Sequence, residues 1–371
     1  MLADDRLETA EWLPEVRRVL QICNVCGYCN GFCDVFDAAR RRPALHDADL
    51  AHLANLCHGC RNCLYACQYA PPHALAVNLP RTLTAMRQHV YRRGIWPTAL
   101  AGVFQHSGLS TVIVIFAAIA CVLGLALLNV PAAMLVRPQQ GLGAFYRILP
   151  WDTMVLLGAL PLAWSSLAIG IGLRRYWRVT RPDSSPVTLA VLGAALYDIL
   201  ILRNLRGGGA GCNDFDHRLS HQRRRLHQTL LTGLLLSFAA TLAATIYHHA
   251  LGWEAPYPVL SLPVLTGTLG GISMAVASAG LLWLTWREDR IPTTRAARQF
   301  DHASLLLLSV VAVSGLSLLV WRDTAAMGLL LVVHLGGVLA LFLLLPYSKP
   351  IHAGYRAIAL VIEALEQSRQ A

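Results

Sequence analysis

The sequence predicts an all-α protein in two parts: a small helical domain of mixed polarity, followed by a bundle of about six membrane-spanning helices. Three observations predict this architecture. The 371-residue chain is 55% hydrophobic and only 14% charged, whereas soluble domains average about 25% charged residues. Long apolar runs fill the chain from about residue 108 onwards. Ahead of them, two similar cysteine-rich runs stand in a segment that has no such apolar stretch.

Residues 1–95 are expected to form a cytoplasmic domain, because they hold eight of the ten cysteines and are of mixed polarity. The opening residues, MLADDRLETAEW, lack the basic and apolar regions of a signal peptide, so this segment is expected to stay in the cytoplasm. A reducing cytosol disfavours disulfides and favours metal ligation or catalysis for closely spaced cysteines.

Residues 108–371 are expected to form the membrane domain, with a cytoplasmic loop at about 174–228. A helix needs about 20 mainly apolar residues to cross a bilayer. The candidate spans, with ends uncertain by several residues, are 111–136, 152–173, 229–250, 259–286, 303–321 and 325–345. A seventh apolar run at 187–202 is shorter and contains Asp198, which favours an interfacial or buried helix over another span.

The placement of arginine predicts the orientation of the spans. Basic connectors alternate along the chain with arginine-poor connectors. All the basic connectors fall on the side of the cysteine domain. We therefore expect a multi-pass protein of the cytoplasmic (inner) membrane with both termini in the cytoplasm. The net charge of +10 is then explained by topology in a lipid bilayer, and no nucleic-acid partner is expected.

Two cysteine runs share the spacing C-x2-C-x2-C-x3-C. The first run is Cys23, Cys26, Cys29 and Cys33, and the second is Cys57, Cys60, Cys63 and Cys67. This is the spacing of bacterial ferredoxins, in which the fourth cysteine of each run ligates the other cluster. The rule predicts one [4Fe–4S] cluster on a first cysteine set and another on a second cysteine set. The first set is Cys23, Cys26, Cys29 and Cys67; the second is Cys57, Cys60, Cys63 and Cys33.

The alternative for these cysteines is a pair of four-cysteine zinc sites, which more often use two C-x2-C pairs separated by a longer loop. Helix-forming linkers around the runs indicate a helical ferredoxin-like domain rather than a β-rich one. Cys121 lies in the first span and is interpreted as an apolar filler. Cys212 lies in the glycine-rich RGGGAGCNDFDH segment, and an incidental thiol in a flexible loop is favoured over a role near the clusters.

Four histidines in or beside the spans are candidate ligands of haem b. His227 and His248 bracket the third span, whereas His334 lies inside the sixth and His352 just beyond it. If those helices are antiparallel neighbours, His227 pairs with His352 and His248 with His334, as bis-histidine ligation requires. His302 is a reserve ligand at the start of the fifth span. The alternative to haem ligation, for each histidine taken alone, is that its ring lies at the membrane interface or makes a hydrogen bond.

The chain resembles the B-type membrane proteins of tricarballylate and citrate utilisation, a family (TcuB/CitB) that includes the membrane half of CobZ-type fusions. The segments that carry the resemblance are 23–33, 53–78, 207–213, 223–230, 244–249, 251–264 and 324–336. The resemblance implies two [4Fe–4S] clusters on the eight cysteines, and the fused relatives add haem b. It also implies an electron carrier between a partner FAD dehydrogenase that oxidises tricarballylate and the quinone pool.

The leading hypothesis is thus a membrane-bound electron-transfer subunit whose substrate oxidation takes place on a separate cytoplasmic flavoprotein. The chain shows no G-x-G-x-x-G turn of its own. The donor is expected to dock on residues 1–95 and on the Gly207–Cys212 loop. A redox sensor with clusters is the alternative; a transporter is disfavoured, since the spans hold almost no acidic residues and no matched half-repeats.

Overall fold

The computed structural model describes residues 12–105, 107–181 and 186–369, and it confirms an all-α architecture with six helices of membrane-spanning length. Within that part of the chain the only strands are β1 (Cys212–Asn213) and β2 (Leu219–Ser220), which pair antiparallel. The cysteine-rich domain lies against one end of the helical bundle.

Five helices build the cysteine-rich domain. They are α1 (Trp12–Cys26), α2 (Asp34–Arg40), α3 (Asp47–Leu56), α4 (Asn62–Tyr65) and α5 (Leu79–Gly94). Their apolar faces meet in a common core in which Leu20, Leu50 and Leu83 are fully buried. The Asn78 side chain caps α5 by accepting a hydrogen bond from the Arg81 N–H at 3.2 Å. Short helices joined by cysteine-bearing turns therefore replace a ferredoxin sheet.

The remaining ten helices belong to the membrane part. They are α6 (Ala101–Gln105), α7 (Ser107–Asn129), α8 (Ala132–Leu135), α9 (Trp151–Thr180), α10 (Leu189–Leu200), α11 (Gln222–Leu251), α12 (Leu262–Arg287), α13 (Arg295–Trp321), α14 (Met327–Leu344) and α15 (His352–Gln367). All six predicted spans correspond to long helices. The first ends at Asn129 rather than near residue 136, because Pro131 disfavours helical backbone in the residue before it.

The apolar run at 187–202 forms α10, whose twelve residues are too few to cross a bilayer. This helix packs against α15 near the cysteine-rich domain. Its other face exposes large apolar side chains, among them Leu189 and Tyr197. An interfacial position therefore suits it better than a transmembrane one.

The histidine pairs were predicted on the assumption that the third and sixth spans are neighbours, and the helix packing differs from this. The third long helix, α11, packs along α12, whereas α14 packs on α7, α13 and α9. Glycines allow the first contact to be close: a Cβ at Gly233 would lie 2.9 Å from the Gly270 carbonyl oxygen. Small residues are the usual means of such approach between membrane helices. The third and sixth spans are therefore not packed along their length.

Buried polar contacts hold the cysteine-rich domain on the bundle. Arg41, which directly follows α2, binds Glu363 on α15 at 2.6 Å. Burial raises the pKa of Glu363, but the neighbouring His52 and Arg41 side chains outweigh burial and leave this pKa below its ordinary value. Asn78 donates from its side-chain nitrogen to the Ile291 carbonyl oxygen at 2.8 Å. Pairing of this kind fixes how the cysteines face the membrane helices.

Candidate iron–sulfur and haem sites

The first cysteine set surrounds a cavity of about 190 Å³ in the cysteine-rich domain. Cys23, Cys26 and Cys29 reach it from α1 and the following turn, and Cys67 reaches it from the end of the second cysteine run. The thiols are close enough that Cys67 acts electrostatically on both Cys23 and Cys29. Four thiols from distant parts of the chain thus converge on one volume.

The second cysteine set lines an adjoining, narrower cavity of about 30 Å³. Cys57, Cys60 and Cys63 belong to the second run, and Cys33 reaches this cavity from the start of α2. Cys63 lines both cavities, so the two sites share a wall. The structure therefore places Cys67 beside the first run and Cys33 beside the second.

The two runs also share a backbone turn. Gly27 and Arg61 occupy equivalent positions, each four residues after the first cysteine of its run, and both have left-handed backbone, with φ of 65° and 69°. Glycine adopts this conformation without strain, whereas arginine does not. Arg61 is held there by contacts of its guanidinium group, which donates to the Asp214 carbonyl oxygen at 3.1 Å and pairs with Glu288.

The chemistry of the donors suits a multinuclear cation. Burial raises the pKa of Cys23 to about 12, with a further rise from Cys29. Burial also raises the pKa of Cys29 to about 11 and that of Cys33 well above its usual range. Ligation requires thiolates, so these groups lose their protons only to a strongly bound cation. Among the described His, Cys, Asp and Glu side chains, no three converge closely enough to hold a single metal ion.

Two arginines converge on the second cysteine set. Arg87 donates to the Cys57 carbonyl oxygen at 2.8 Å, and Arg356 donates to the same oxygen at 3.1 Å. Burial, followed by repulsion from Arg87, lowers the pKa of Arg356 to about 10, so the group stays charged at neutral pH. The carboxylate that acts on Arg356 is Asp301, which already binds Lys349 at 2.5 Å. A negative group beside Cys57 would stabilise these cations, and a thiolate-ligated cluster is such a group.

The glycine-rich segment covers the second cysteine set and is not a loose loop. The Asn213 N–H donates to the Cys60 carbonyl oxygen at 3.0 Å, and Asn62 donates to the carbonyl oxygens of Gly207 and Gly211 at 2.8 and 3.0 Å. Cys212 is only 1% exposed. The expectation of a flexible loop at Cys212 is therefore wrong, because main-chain bonds to the second cysteine run order the segment.

The structure brings together one of the two predicted histidine pairs. The rings of His227 on α11 and His352 on α15 lie 5.9 Å apart between centroids, at 56° to each other. His58, in the second cysteine run, is close enough to His227 to interact with it electrostatically. Burial, followed by Arg356, lowers the pKa of His58 well below its usual value. These histidines are neutral-ligand candidates between the second cysteine set and the bundle.

The other predicted pair is not brought together. The His248 ring stacks on Trp151 of α9 at 4.6 Å, and its Nδ1 is buried without a hydrogen-bond partner. His334 instead bonds through Nδ1 to the Ser314 hydroxyl at 3.2 Å and lines a cavity of about 420 Å³. The two rings thus have separate partners, in keeping with the packing of α11 along α12 rather than along α14.

Sequence reasoning missed the two arginines at Cys57 and gave His58 no role. The position of His58 inside the C-H-G-C turn could have marked it as a residue close to the second cysteine set. No pattern marks Arg87 or Arg356 among 31 lysines and arginines.

The reserve histidine, His302, lies on α13 and lines a groove of about 740 Å³ between α7, α12 and α13.

Comparisons with known proteins agree with this architecture. Residues 16–92 match the family model of the "Citrate utilization protein B Fer4-like domain", and residues 106–371 match that of "Citrate utilization protein B". Citrate utilization protein B of Escherichia coli is 41% identical over 362 residues, covering 96% of this chain and 93% of the relative. No solved structure matches the chain.

A Fer4-like domain with two cysteine sets, joined to six membrane-length helices, defines a multi-pass membrane protein of the iron–sulfur electron-transfer class. The matched models span most of the chain, and the identity extends over nearly all of it. The chain belongs to the citrate utilization protein B family.

Proposed function

We propose that the chain carries electrons from a cytoplasmic FAD-dependent dehydrogenase, through two [4Fe–4S] clusters and haem b, to a membrane quinone. The observation that carries the proposal is the convergence of eight cysteines on two adjoining cavities at the end of a membrane bundle. The substrate of the dehydrogenase is tricarballylate or a related tricarboxylate, in keeping with the resemblance and with the citrate named for the relative.

In this proposal Cys23, Cys26, Cys29 and Cys67 hold one cluster, and Cys57, Cys60, Cys63 and Cys33 hold the other. Each bound cluster supplies reversible one-electron exchange. The shared wall at Cys63 keeps the two cysteine sets adjacent. The zinc alternative supplies no redox chemistry.

The donor is proposed to dock beside the first cysteine set. Cys26 is exposed there, and Val25 and Tyr28 next to it are 90% and 64% exposed. The second set is covered by the glycine-rich segment and lies nearer the bundle. This arrangement supports electron entry through the exposed set and exit through the covered one. Contact with the Gly207–Cys212 loop would add a polar rim, so docking should weaken with salt.

Haem b is proposed to bind at His227 and His352, whose ring centroids lie 5.9 Å apart with the rings tilted by 56°. His334 is the second candidate, because its Nδ1 bond to Ser314 orients a ring that lines the cavity and leaves Nε2 as the nitrogen free of that bond. When bound, haem supplies a further one-electron centre. His248 is the weaker candidate, since its ring stacks on Trp151.

The optical spectrum of the purified full-length protein before and after dithionite tests the cofactors. Bleaching of a broad visible absorption is expected from the clusters, and sharp α and Soret bands from haem. Rapid mixing with a reduced flavoprotein donor then separates the proposal from a redox sensor. An electron carrier must be reduced on the timescale of donor turnover, whereas clusters that change only slowly with oxidant would indicate a sensor.

A further inference from the structure

A groove of about 740 Å³ runs between α7, α12 and α13 in the half of the bundle nearest the cysteine-rich domain. Its walls carry Leu109, Leu306 and Trp286, which are 64%, 47% and 78% exposed on helices of membrane-spanning length. Side chains exposed at this level face lipid. The groove is therefore open to a lipid-soluble molecule from the side.

One wall of this groove carries polar groups. The Nε2 of His302 is buried and has no hydrogen-bond partner. Gln299 lies three residues earlier on α13, hence on the same face of the helix, and Thr111 of α7 lies across the groove. A buried polar atom without a partner costs free energy. The half-buried His302 ring lines the groove with another of its edges, and a rotation of the ring would present Nε2 to a polar group that enters there.

A continuous set of contacts joins the groove to the second cysteine set. Trp283, which lines the groove, packs its ring against Phe215 at 5.6 Å between centroids. Phe215 follows Asp214, whose carbonyl oxygen accepts a hydrogen bond from Arg61 at 3.1 Å. Arg61 in turn follows Cys60 in the chain. The groove therefore lies only a few side chains from the cysteines.

We propose that this groove binds the headgroup of a membrane quinone, and that the His302 ring rotates on binding so that Nε2 bonds one ring carbonyl oxygen. The proposal rests on the proposed electron-transfer function and gives its acceptor a site. Reduction consumes two electrons, which the donor's substrate gives up on oxidation and which would arrive one at a time through the two clusters and haem b. Two protons from the adjacent aqueous side complete the quinol, one of them passed through His302 to the carbonyl oxygen.

A quinone satisfies features that a lipid acyl chain does not. The carbonyl oxygen gives His302 its missing partner, and the planar ring suits the indole walls of Trp283 and Trp286. The isoprenoid tail occupies the lipid-facing opening. An acyl chain would leave the imidazole nitrogen unpaired.

The test uses the full chain in lipid nanodiscs with its clusters reduced. Stopped-flow mixing with decylubiquinone follows the return of cluster absorption, and mixing with ferricyanide, which is water-soluble, serves as a second oxidant. His302→Leu should slow oxidation by the quinone about tenfold, the factor for loss of one hydrogen bond. Leu306→Trp fills the opening and should slow it as well. Val313→Ala, a lipid-facing change on the same helix, is the matched control and should behave like the wild type.

Unchanged ferricyanide rates and iron content in the slow variants would support the assignment. If decylubiquinone oxidises the wild type and both groove variants equally fast, the groove is not the site, although the electron-transfer function stands. If quinone fails to oxidise even the wild type, the proposed acceptor itself is wrong. A photoreactive azidoquinone adds a readout independent of rate: it should label α7, α12 or α13, and labelling confined to other helices would overturn the proposal.

Discussion

Replacing Arg356 by glutamine is expected to lower the reduction potential of the cluster on the second cysteine set. Arg356 donates to the Cys57 carbonyl oxygen at 3.1 Å and remains charged at neutral pH. A positive charge stabilises the reduced cluster, which carries one more negative charge than the oxidised one. Glutamine keeps a hydrogen-bond donor and removes the charge, so the change isolates the electrostatic part.

The size of the shift follows from Coulomb's law. Standard bond lengths from the guanidinium group through Cys57 place the charge about 8 Å from the cluster. With an effective dielectric constant of about 20, two unit charges at that distance interact by roughly 2 kcal/mol. At about 59 mV per tenfold change for one electron, this corresponds to a decrease of roughly 90 mV.

Redox titration followed by electron paramagnetic resonance measures the two clusters separately. The cluster on the first cysteine set should shift far less, because Arg356 contacts the second set. Arg356→Lys keeps the charge and should retain most of the potential. Arg225→Gln removes an exposed charge on α11 and is the control for net charge. An unchanged potential, or an equal shift in both clusters, would refute the reasoning.

Three further predictions concern ligation, haem and topology. Cys67→Ser should remove the same paramagnetic signal as Cys23→Ser and a different one from Cys57→Ser, because Cys67 lies beside the first run. Iron counts and paramagnetic resonance spectra of the three variants test this. Identical losses in Cys67→Ser and Cys57→Ser would contradict the assignment of Cys67 to the first set. His227→Ala should reduce the α band of the reduced protein while the cluster signals survive, since the His227 ring lies beside that of His352. An unaltered band would show that His227 is not a haem ligand. A reporter fused to the C-terminus should act as cytoplasmic and one inserted at 251–258 as periplasmic, and cytoplasmic accessibility of that loop would contradict the proposed orientation.

Length and composition were sufficient to predict the six spans, since a bilayer requires a minimum length of apolar helix. The helix ends needed the structure, as at Asn129, where Pro131 ends the span earlier than hydrophobicity indicated. The cysteine spacing likewise predicted two sets of four. The ferredoxin rule also assigned Cys67 to the first set and Cys33 to the second. The sequence did not determine how the helices fold so that each of these thiols reaches the cavity of the other run.

The histidines show what the sequence by itself left undetermined. Spacing along the chain placed His227 and His248 on one span and His334 on another, but it did not specify which helices are neighbours. That depends on small residues such as Gly233 and Gly270, which bring α11 onto α12. Lipid is as apolar as the helix surfaces, so hydrophobicity does not distinguish one partner from another. The sequence determined the number of spans and the cysteine donors; only tertiary packing decided that His227 meets His352, and that His302 opens onto a groove.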